Sequence, residues 1–226
     1  MAEQPMMNVD EAIRRRRSVR GFLAREVPEA DLQEVFAIAQ YAPSNCNVQP
    51  WTPHVVSGTK LMRLREALVA AGMRDEPIKP DWPADGKYSG IYRERQVGAA
   101  QALYGAMGVA RSDKAGRKLA YVRNHAFFDA PHAVFIFMPE PFDTREATDI
   151  GMYAQTLMLA LTARGIGSCA QGALGLFPDI VREQLDIPGS YKLLFGISFG
   201  YEDDGVSANA ARVERARIDD VVRFHR

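Results

Sequence analysis

The stretch Arg14-Arg15-Arg16-Arg17-Ser18-Val19-Arg20, near the N-terminus, is the segment around which the fold and any bound ligand are expected to be organised. It places five guanidinium groups and one hydroxyl within seven residues, directly before Gly21. Arginine presents planar, bidentate donors that suit phosphate, and a serine hydroxyl adds another donor. Part of this run is therefore predicted to hold the phosphate and the ring edge of a bound cofactor. The simpler alternative is a solvated, arginine-rich helix end, whose cations complement the helix dipole.

The composition is that of an ordinary soluble globular protein. Of 226 residues, 47% are hydrophobic and 25% are charged. No clean linker divides the chain, so a single domain spanning residues 1–226 is predicted. Lys plus Arg equals Asp plus Glu, at 28 each, which argues against a dedicated nucleic-acid-binding protein because such proteins carry a basic excess. This balance leaves room for a local anion site.

Cysteine content and hydropathy predict a cytoplasmic protein. The two cysteines, Cys46 and Cys169, cannot form a disulfide framework or a zinc site, so a reducing compartment is expected. The start, Met1–Pro5, lacks the basic and apolar regions of a secretory signal. No stretch approaches 18 apolar residues, and we therefore expect no membrane span.

The pattern of apolar residues predicts an α+β fold. Thr144 or Asp149 opens the strongest predicted helix, which is apolar almost all round in its middle and is expected to be buried on every side. Strands do not alternate regularly with helices, which favours α+β over a doubly wound sheet. The predicted strands are Trp51–Val56, Ala133–Met138 and Leu193–Tyr201.

Residues 74–92 read differently from the rest, because prolines and glycines interrupt them repeatedly and aromatic residues such as Trp82 and Tyr88 lie between. Long irregular loops of this kind are often lids or binding elements. A plain surface connection is the alternative.

Three further segments carry side chains that could join the arginine run in one site. Pro43–Trp51 holds one hydroxyl and three amides, which can either form turns or hydrogen-bond a planar heterocycle. Gly165–Ala173 suggests a dinucleotide-binding pattern but follows a helix rather than a strand, so a small-residue loop that approaches a flat ring is predicted, with a plain helix C-cap as the alternative. In the tail, Arg212, Arg215 and Arg217 are either solvated or part of a phosphate site.

Several other chemistries have no support in the sequence. There is no Gly-x-Ser-x-Gly nucleophile elbow and no Walker A pattern. The histidines at positions 54, 125, 132 and 225 show no metal-ligand spacing, so no metal site is predicted. Hydrolase, metalloenzyme and NTPase functions are therefore disfavoured.

Two N-terminal motifs, standing at a matching separation, resemble the opening of the nitroreductase family. The glycine loop from Gly165 to Gly172 and the tail from Gly200 to Val222 also resemble their counterparts in that family, and Asn124–Pro131 resembles a subgroup that acts on nitroaromatics. The two motifs are Ala12-Ile13 with Arg16-Arg17-Ser18-Val19-Arg20 and Phe22, then Ala42-Pro43-Ser44 with Asn47, Gln49, Pro50 and Trp51.

The resemblance implies an α+β fold with a central, mostly antiparallel sheet surrounded by helices, in an intertwined homodimer. Each of two FMN sites would lie at the interface and be built from both chains. The implied activity is hydride transfer from NADH or NADPH, through FMN, to a nitroaromatic compound, giving nitroso and hydroxylamine products by ping-pong kinetics. Because the cofactor carries out the chemistry, no catalytic side chain is expected.

The resemblance also assigns roles to individual residues. The FMN phosphate and pyrimidine edge would contact Arg16, Arg17, Ser18 and Arg20, with Arg215 and Arg217 completing the phosphate site. Ser44, Asn45 and Asn47 would approach FMN from the partner chain. Gln171 and Gly172 would lie beside the reactive edge of the flavin, although Gln171 stands where other members carry Glu. Candidates for lining the substrate pocket, or for filling the core, are Trp82, Tyr88, Phe127 and Phe128.

Two other functions remain open at this point. The first shares the scaffold: a flavin-dependent reductase or dehydrogenase whose acceptor is a quinone, an enone or a halogenated aromatic. The second is a non-enzymatic protein that uses the arginine run to bind phosphate or nucleic acid.

Overall fold

The structure is a computed structural model, which describes residues 7–84 and 86–226. The prediction about Met1–Pro5 lies outside those residues, as does position 85 of the irregular segment. The helices are α1 (Val9–Arg15), α2 (Glu29–Ala39), α3 (Gly58–Met73), α4 (Gly90–Ala106), α5 (Lys114–Val122), α6 (Thr144–Ala163), α7 (Pro178–Leu185) and α8 (Ile218–Val221). The strands are β1 (Thr52–Ser57), β2 (His132–Pro139), β3 (Gly167–Gln171) and β4 (Tyr191–Gly200). Among the described residues, no helix is long and apolar enough to cross a membrane.

The four strands form one antiparallel sheet in the order β1-β2-β4-β3. The predicted α+β fold with an antiparallel sheet is therefore confirmed. Each strand predicted from an apolar run lies within about two residues of its observed bounds. The central strand β2 is buried almost throughout, as expected of a continuous apolar run.

The sheet separates two hydrophobic cores, because alternate residues of β2 point to opposite faces. On one face, Phe135 and Phe137 pack with Leu64 and Leu68 of α3. On the other, the core contains Val134, Ile136, Val35, Ile150, Tyr153 and Leu157, contributed by β2, α2 and α6. Burying each such side chain contributes roughly 1.5–3 kcal/mol, so the two cores fix the sheet between two helical layers.

Helix α6 is amphipathic in this chain, and the expectation of burial on every side was wrong. Asp143 opens the helix through a capping box with Glu146, rather than Thr144 or Asp149. Its opposite face is exposed, and Met152 retains 40% of its accessible surface. This side of the helix also carries the exposed Gln155, so in this chain it is a mixed polar and apolar surface.

The glycine-rich segment after α6 contains a strand, which the sequence interpretation missed. Gly165 does end the helix region with a left-handed φ of +70°, as the C-cap alternative proposed. Gly167–Gln171 then pairs along β4 rather than forming a loop. A Cβ on Gly167 would lie 2.9 Å from Cγ2 of Val19, so glycine is required here by a close backbone approach and not by a turn.

The irregular segment between α3 and α4 is anchored over its first half. The Asp81 carboxylate forms two hydrogen bonds to the Arg182 guanidinium, at 2.6 and 3.1 Å, and accepts the backbone N–H of Leu193 at 2.7 Å. The segment is thus tied to α7 and β4 at Asp81, while Tyr88, nearer α4, is 56% exposed.

Candidate active site

The arginine run leaves α1 after Arg15 and passes along the outer edge of β3. The backbone N–H of Val19 donates to the carbonyl of Ser168 at 3.0 Å, within a parallel bridge between Ser18 and Ser168. The Val19 side chain is buried, whereas Arg16, Ser18 and Arg20 are half-buried. Extended backbone alternates its side chains between two sides, so burying Val19 presents Ser18 and Arg20 together on the opposite side.

These side chains open into a cavity of about 760 Å³, which we call the arginine cavity. Helix α4 contributes Ala99 and Leu103, α6 contributes Gln155, and the tail contributes Arg212 and Arg215. The N-terminal side of its wall consists of Ile13, Arg14, Arg15, Arg16, Arg17, Ser18 and Arg20. The two ends of the chain therefore meet at one strongly basic cavity, and its volume falls in the range of small-molecule and cofactor sites.

The arginines of the run differ in whether a carboxylate neutralises them. Arg14 and Arg15 pair with acidic residues one turn earlier on α1, and Arg17 pairs with Glu202 while donating to the backbone carbonyl of Asn209 at 3.1 Å. Within residues 7–84 and 86–226, Arg16 and Arg20 have no ion pair. They are therefore the guanidinium groups of the run that retain their full charge for an anion.

Arg215 also lines this cavity, and its guanidinium contacts only backbone carbonyls of the tail. Arg217 does not reach it: that side chain is exposed and lies 3.7 Å from the Asp219 carboxylate. The chain by itself thus brings Arg16, Ser18, Arg20 and Arg215 together and leaves Arg217 outside.

Asn209 was missed by the sequence interpretation, although it joins the two ends of the chain at this site. Its side-chain carbonyl accepts the backbone N–H of Arg20 at 2.6 Å, and its amide donates to the carbonyls of Gly21 and Asp203, each at 2.9 Å. The residue is only 4% exposed. It therefore fixes the backbone from which the Arg20 side chain projects, and a lone Asn between two alanines gives no local signal of this role.

The charge of the site extends to the strand beneath it. Burial raises the pKa of the Cys169 thiol on β3, and the positive charges of Arg20 and Arg16 oppose that rise. The thiol is thus neutral at ordinary pH, and it packs under the arginines as a small apolar group.

The two residues predicted to approach the reactive edge of a flavin differ in how much room they leave for a ligand. The Gln171 side chain is buried and already occupied: its amide donates to the Asn124 backbone carbonyl at 3.0 Å, and its carbonyl accepts the hydroxyl of Ser198. Gly172, by contrast, is exposed, and a Cβ added to it would meet no atom within 4 Å. The open space at Gly172 leaves room for a flat ring beside its backbone.

Ser44, Asn45 and Asn47 do not line the arginine cavity of this chain. The Ser44 hydroxyl accepts the backbone N–H of Gln49 at 3.0 Å, and the backbone N–H of Asn45 donates to Asp149 at 3.1 Å. These contacts shape the turn around the short helix Asn45–Asn47, as the turn interpretation predicts. Their approach to a cofactor from a second chain stays a prediction.

Of the aromatic pocket candidates, two belong to the core. Phe127 is fully buried, with its ring edge-on to Phe135 at 6.0 Å, and Trp82 is half-buried against the core on the α6 side of the sheet. Phe127 therefore fills the core in this chain, which is the second of the two roles that the sequence left open. Phe128 is also largely buried, but it lines a cavity of about 180 Å³ that it shares with Arg20.

This α+β chain gathers four cationic and hydroxyl groups from both of its ends around one cavity, an arrangement that suits a phosphorylated ligand. A model of the nitroreductase family matches residues 13–201, and the chain belongs to that family. Within the described residues, no three His, Cys, Asp or Glu side chains lie close enough to hold a metal ion.

Individual relatives cover nearly the whole chain. Nitroreductase NfnB of Mycolicibacterium smegmatis is 43% identical over 215 residues, which are 95% of this chain and 91% of that protein. The 4-nitrobenzoate reductase of Pseudomonas putida is 30% identical over 215 residues, covering 95% and 94% of the two chains.

Solved structures agree with this assignment. The FMN-dependent nitroreductase NfnB from Mycobacterium smegmatis, in complex with NADPH, superposes with a TM-score of 0.91 at 42% identity, over 97% of this chain and all of that one. The FMN and NADPH-dependent nitroreductase NfnB from sphigopyxis sp. strain HMH gives 0.92 at 32% identity, over 97% and 99%. The resemblance to the family and the fold it implied are confirmed.

Proposed function

We propose that this protein is an FMN-dependent oxidoreductase that passes hydride from NAD(P)H to nitroaromatic compounds. The observation that carries the proposal is the arginine cavity, in which Arg16 and Arg20 have no carboxylate partner among the described residues and face the basic tail. The relatives named above are nitroreductases, and two of their structures are described as FMN-dependent with NADPH as donor.

The residues present fit FMN on two grounds taken from this chain. Arg16, Ser18, Arg20 and Arg215 supply the charge and donors that a phosphate monoester requires. The open space at Gly172 accommodates an isoalloxazine ring next to backbone. Bound FMN supplies the hydride chemistry, so the chain needs no nucleophile or metal of its own.

The role of the chain's own residues is to bind and orient FMN and to polarise its ring system. A guanidinium at the pyrimidine edge stabilises negative charge on that edge, which favours the reduced state of the ring system. The Asn209 side chain, which accepts the Arg20 N–H, holds the Arg20 backbone, and the Gln171 bonds hold the end of β3 directly before Gly172. The nicotinamide donor and the nitro compound would use one site in turn, which gives ping-pong kinetics. Stepwise reduction of the nitro group would give nitroso and hydroxylamine products.

We also propose the intertwined homodimer. The exposed face of α6 at Met152 and an exposed tail support it, because both leave large apolar side chains in water. In the tail, Val213, Ile218, Val221, Val222 and Phe224 are each at least 40% exposed. A second copy that covers these side chains would also bring Ser44, Asn45 and Asn47 towards a cofactor. The free thiols of Cys46 and Cys169 suit the cytoplasm, which we propose as its location.

The deciding experiment is an absorbance spectrum of the purified protein before and after anaerobic addition of NADPH or NADH. We expect a yellow protein with an oxidised-flavin band that bleaches with the donor and returns on adding a nitroaromatic. A colourless protein that takes up no FMN on reconstitution would overturn the proposal. Steady-state rates with a nitroaromatic, a quinone, an enone and a halogenated aromatic then decide the acceptor.

A further inference from the structure

A second basic cavity, of about 490 Å³, lies between α4 and α5 and is not part of the site described above. We call it the α4–α5 cavity. Its polar and aromatic lining residues are Arg93, Gln96, Gln101, Tyr104, Arg111 and Arg117. On α4 the lining residues Arg93, Val97, Ala100 and Tyr104 stand three or four positions apart, so they share one face of that helix, opposite the loop and helix that carry Arg111 and Arg117.

Among the residues that the structure describes, the lining of the α4–α5 cavity carries three guanidinium groups and no carboxylate. In the part of the chain that the structure describes, none of the three arginines forms an ion pair. The Arg117 guanidinium lies over the Tyr104 ring, 4.8 Å from its centroid, and Arg93 donates to the Gln96 side chain. Isolated arginines on a helix are ordinary solvated charges, but three around one concave, aromatic-walled space form an anion site.

The α4–α5 cavity adjoins the arginine cavity through shared walls. Tyr104 lines both the α4–α5 cavity and the 180 Å³ cavity beside it, and Arg20 and Leu103 line both that small cavity and the arginine cavity. The three spaces therefore lie side by side around α4, with Leu103 and Tyr104 between them. An extended ligand that reaches the cofactor site at one end can place its other end between α4 and α5.

We propose that the α4–α5 cavity binds the adenosine 2′-phosphate of NADPH and so selects NADPH over NADH. This inference rests on the proposed function. The arginines match a phosphate monoester, and the Gln101 amide can pair with the edge of the purine. NADH has the same purine and diphosphate but lacks this monoester, so the three guanidinium groups contribute to binding of NADPH alone.

The first test compares NADPH and NADH as hydride donors in the flavin-loaded protein. Arg111→Ala and Arg117→Ala are expected to raise KM for NADPH by about tenfold each, the equivalent of one lost guanidinium–phosphate bond, and to leave KM for NADH unchanged. The matched control is Arg95→Ala, because Arg95 is on α4 but lies outside the cavity and near the Tyr92 ring. That variant should leave both constants unchanged.

A calorimetric titration with 2′,5′-ADP gives a readout that does not depend on turnover. We expect binding to the wild type and to Arg95→Ala, at least tenfold weaker binding to Arg111→Ala and Arg117→Ala, and weak binding of 5′-AMP to all of them. An unchanged NADPH-to-NADH ratio in the cavity variants, or equal affinity for 2′,5′-ADP and 5′-AMP, would overturn the inference. Absence of flavin, by contrast, would overturn the proposed function while the titration still tests the cavity.

Discussion

The side-chain carbonyl of Asn209 accepts the backbone N–H of Arg20 at 2.6 Å, across 189 positions of sequence. Its amide meanwhile donates to two backbone carbonyls of the loops on either side, and its own backbone carbonyl accepts Arg17 and Arg212. One buried amide thus holds the arginine run against the start of the tail. The arrangement links the geometry of the basic cavity to the stability of the fold.

Replacing Asn209 should affect stability and cofactor binding together. Asn209→Ala leaves the Arg20 N–H without its acceptor and takes one of two donors from each of the Gly21 and Asp203 carbonyls, so we expect a loss of about 1–3 kcal/mol in the free energy of unfolding. It should also weaken FMN binding, because the Arg20 backbone is no longer fixed. Urea unfolding and a fluorescence titration of FMN measure the two effects.

An exposed amide gives the control for that substitution. Gln33 on α2 bonds only to Glu29 on the surface, so Gln33→Ala should change the free energy of unfolding by less than about 0.5 kcal/mol. An Asn209→Ala variant as stable as Gln33→Ala would contradict the role given to Asn209.

The free charge of Arg20 gives a prediction about the cofactor alone. Arg20→Ala should weaken FMN binding by about tenfold or more, since it removes a charge-assisted bond to an anion. The control, Arg63→Ala, removes an exposed arginine from α3 and should leave the affinity unchanged. Equal FMN dissociation constants for the two variants, measured by flavin fluorescence, would argue against Arg20 as a contact.

Two buried histidines should respond in opposite ways to replacement by phenylalanine. Both ring nitrogens of His125 are buried without a partner, whereas His132 accepts the Val27 N–H at Nε2, at 3.0 Å, and contacts the Ser57 hydroxyl through Nδ1. His125→Phe should keep or raise the melting temperature at pH 7. His132→Phe should cost about 2–4 kcal/mol, because it strands two buried polar groups. Calorimetry at pH 7 separates the two variants.

Burial of His125 also predicts acid sensitivity. Burial, reinforced by the charge of Lys118, lowers the pKa of His125 from 6.5 to about 4. The unfolded chain therefore binds this proton more readily, so stability is complete above pH 6.5 and falls as the pH drops towards 4. The expected loss is about 3 kcal/mol for this residue. Urea unfolding of wild type and His125→Phe at pH 7 and pH 4 tests it: the variant should lose less.

Gly167 on β3 should not tolerate a methyl group, since the added Cβ would lie 2.9 Å from Val19 and 3.4 Å from the carbonyl of Gly200. We expect Gly167→Ala to lower the free energy of unfolding by about 1–3 kcal/mol through overpacking. In contrast, Gly98 in α4 has no neighbour within 4 Å of an added Cβ, so Gly98→Ala should stabilise by about 0.5–1 kcal/mol. Thermal unfolding of the pair would contradict this if both variants shifted the same way.

The sequence predicted those elements whose signal is local. The residue runs that predicted β1, β2 and β4 depend only on neighbours in the sequence, and all three strands are observed. Strand β3 was missed because glycine and small residues are poor strand formers, and its place is set by contact with Val19. Contacts between residues that are far apart in the chain leave no local pattern in a single sequence.

The features of the candidate site also divide into those with a local sequence signal and those that depend on tertiary contacts. The residue types in the arginine run, arginine and serine, identified it as suited to phosphate. The pairing of Arg17 with Glu202 depends on tertiary contact and could not be inferred from the sequence. Asn209 and Gln155 reach the site only through folding. Phe127 looked like a pocket residue because aromatic type does not distinguish a core position from a pocket wall.

The backbone hydrogen bond from Val19 to Ser168 has a further consequence. An outermost β-strand with free N–H and C=O groups is a template for pairing with other chains. The segment that supplies Ser18 and Arg20 to the cavity is the same one that covers this edge of the sheet. Ligand recognition and protection from aggregation therefore depend on one short piece of backbone, so changes that loosen it endanger the solubility of the protein as well as its activity.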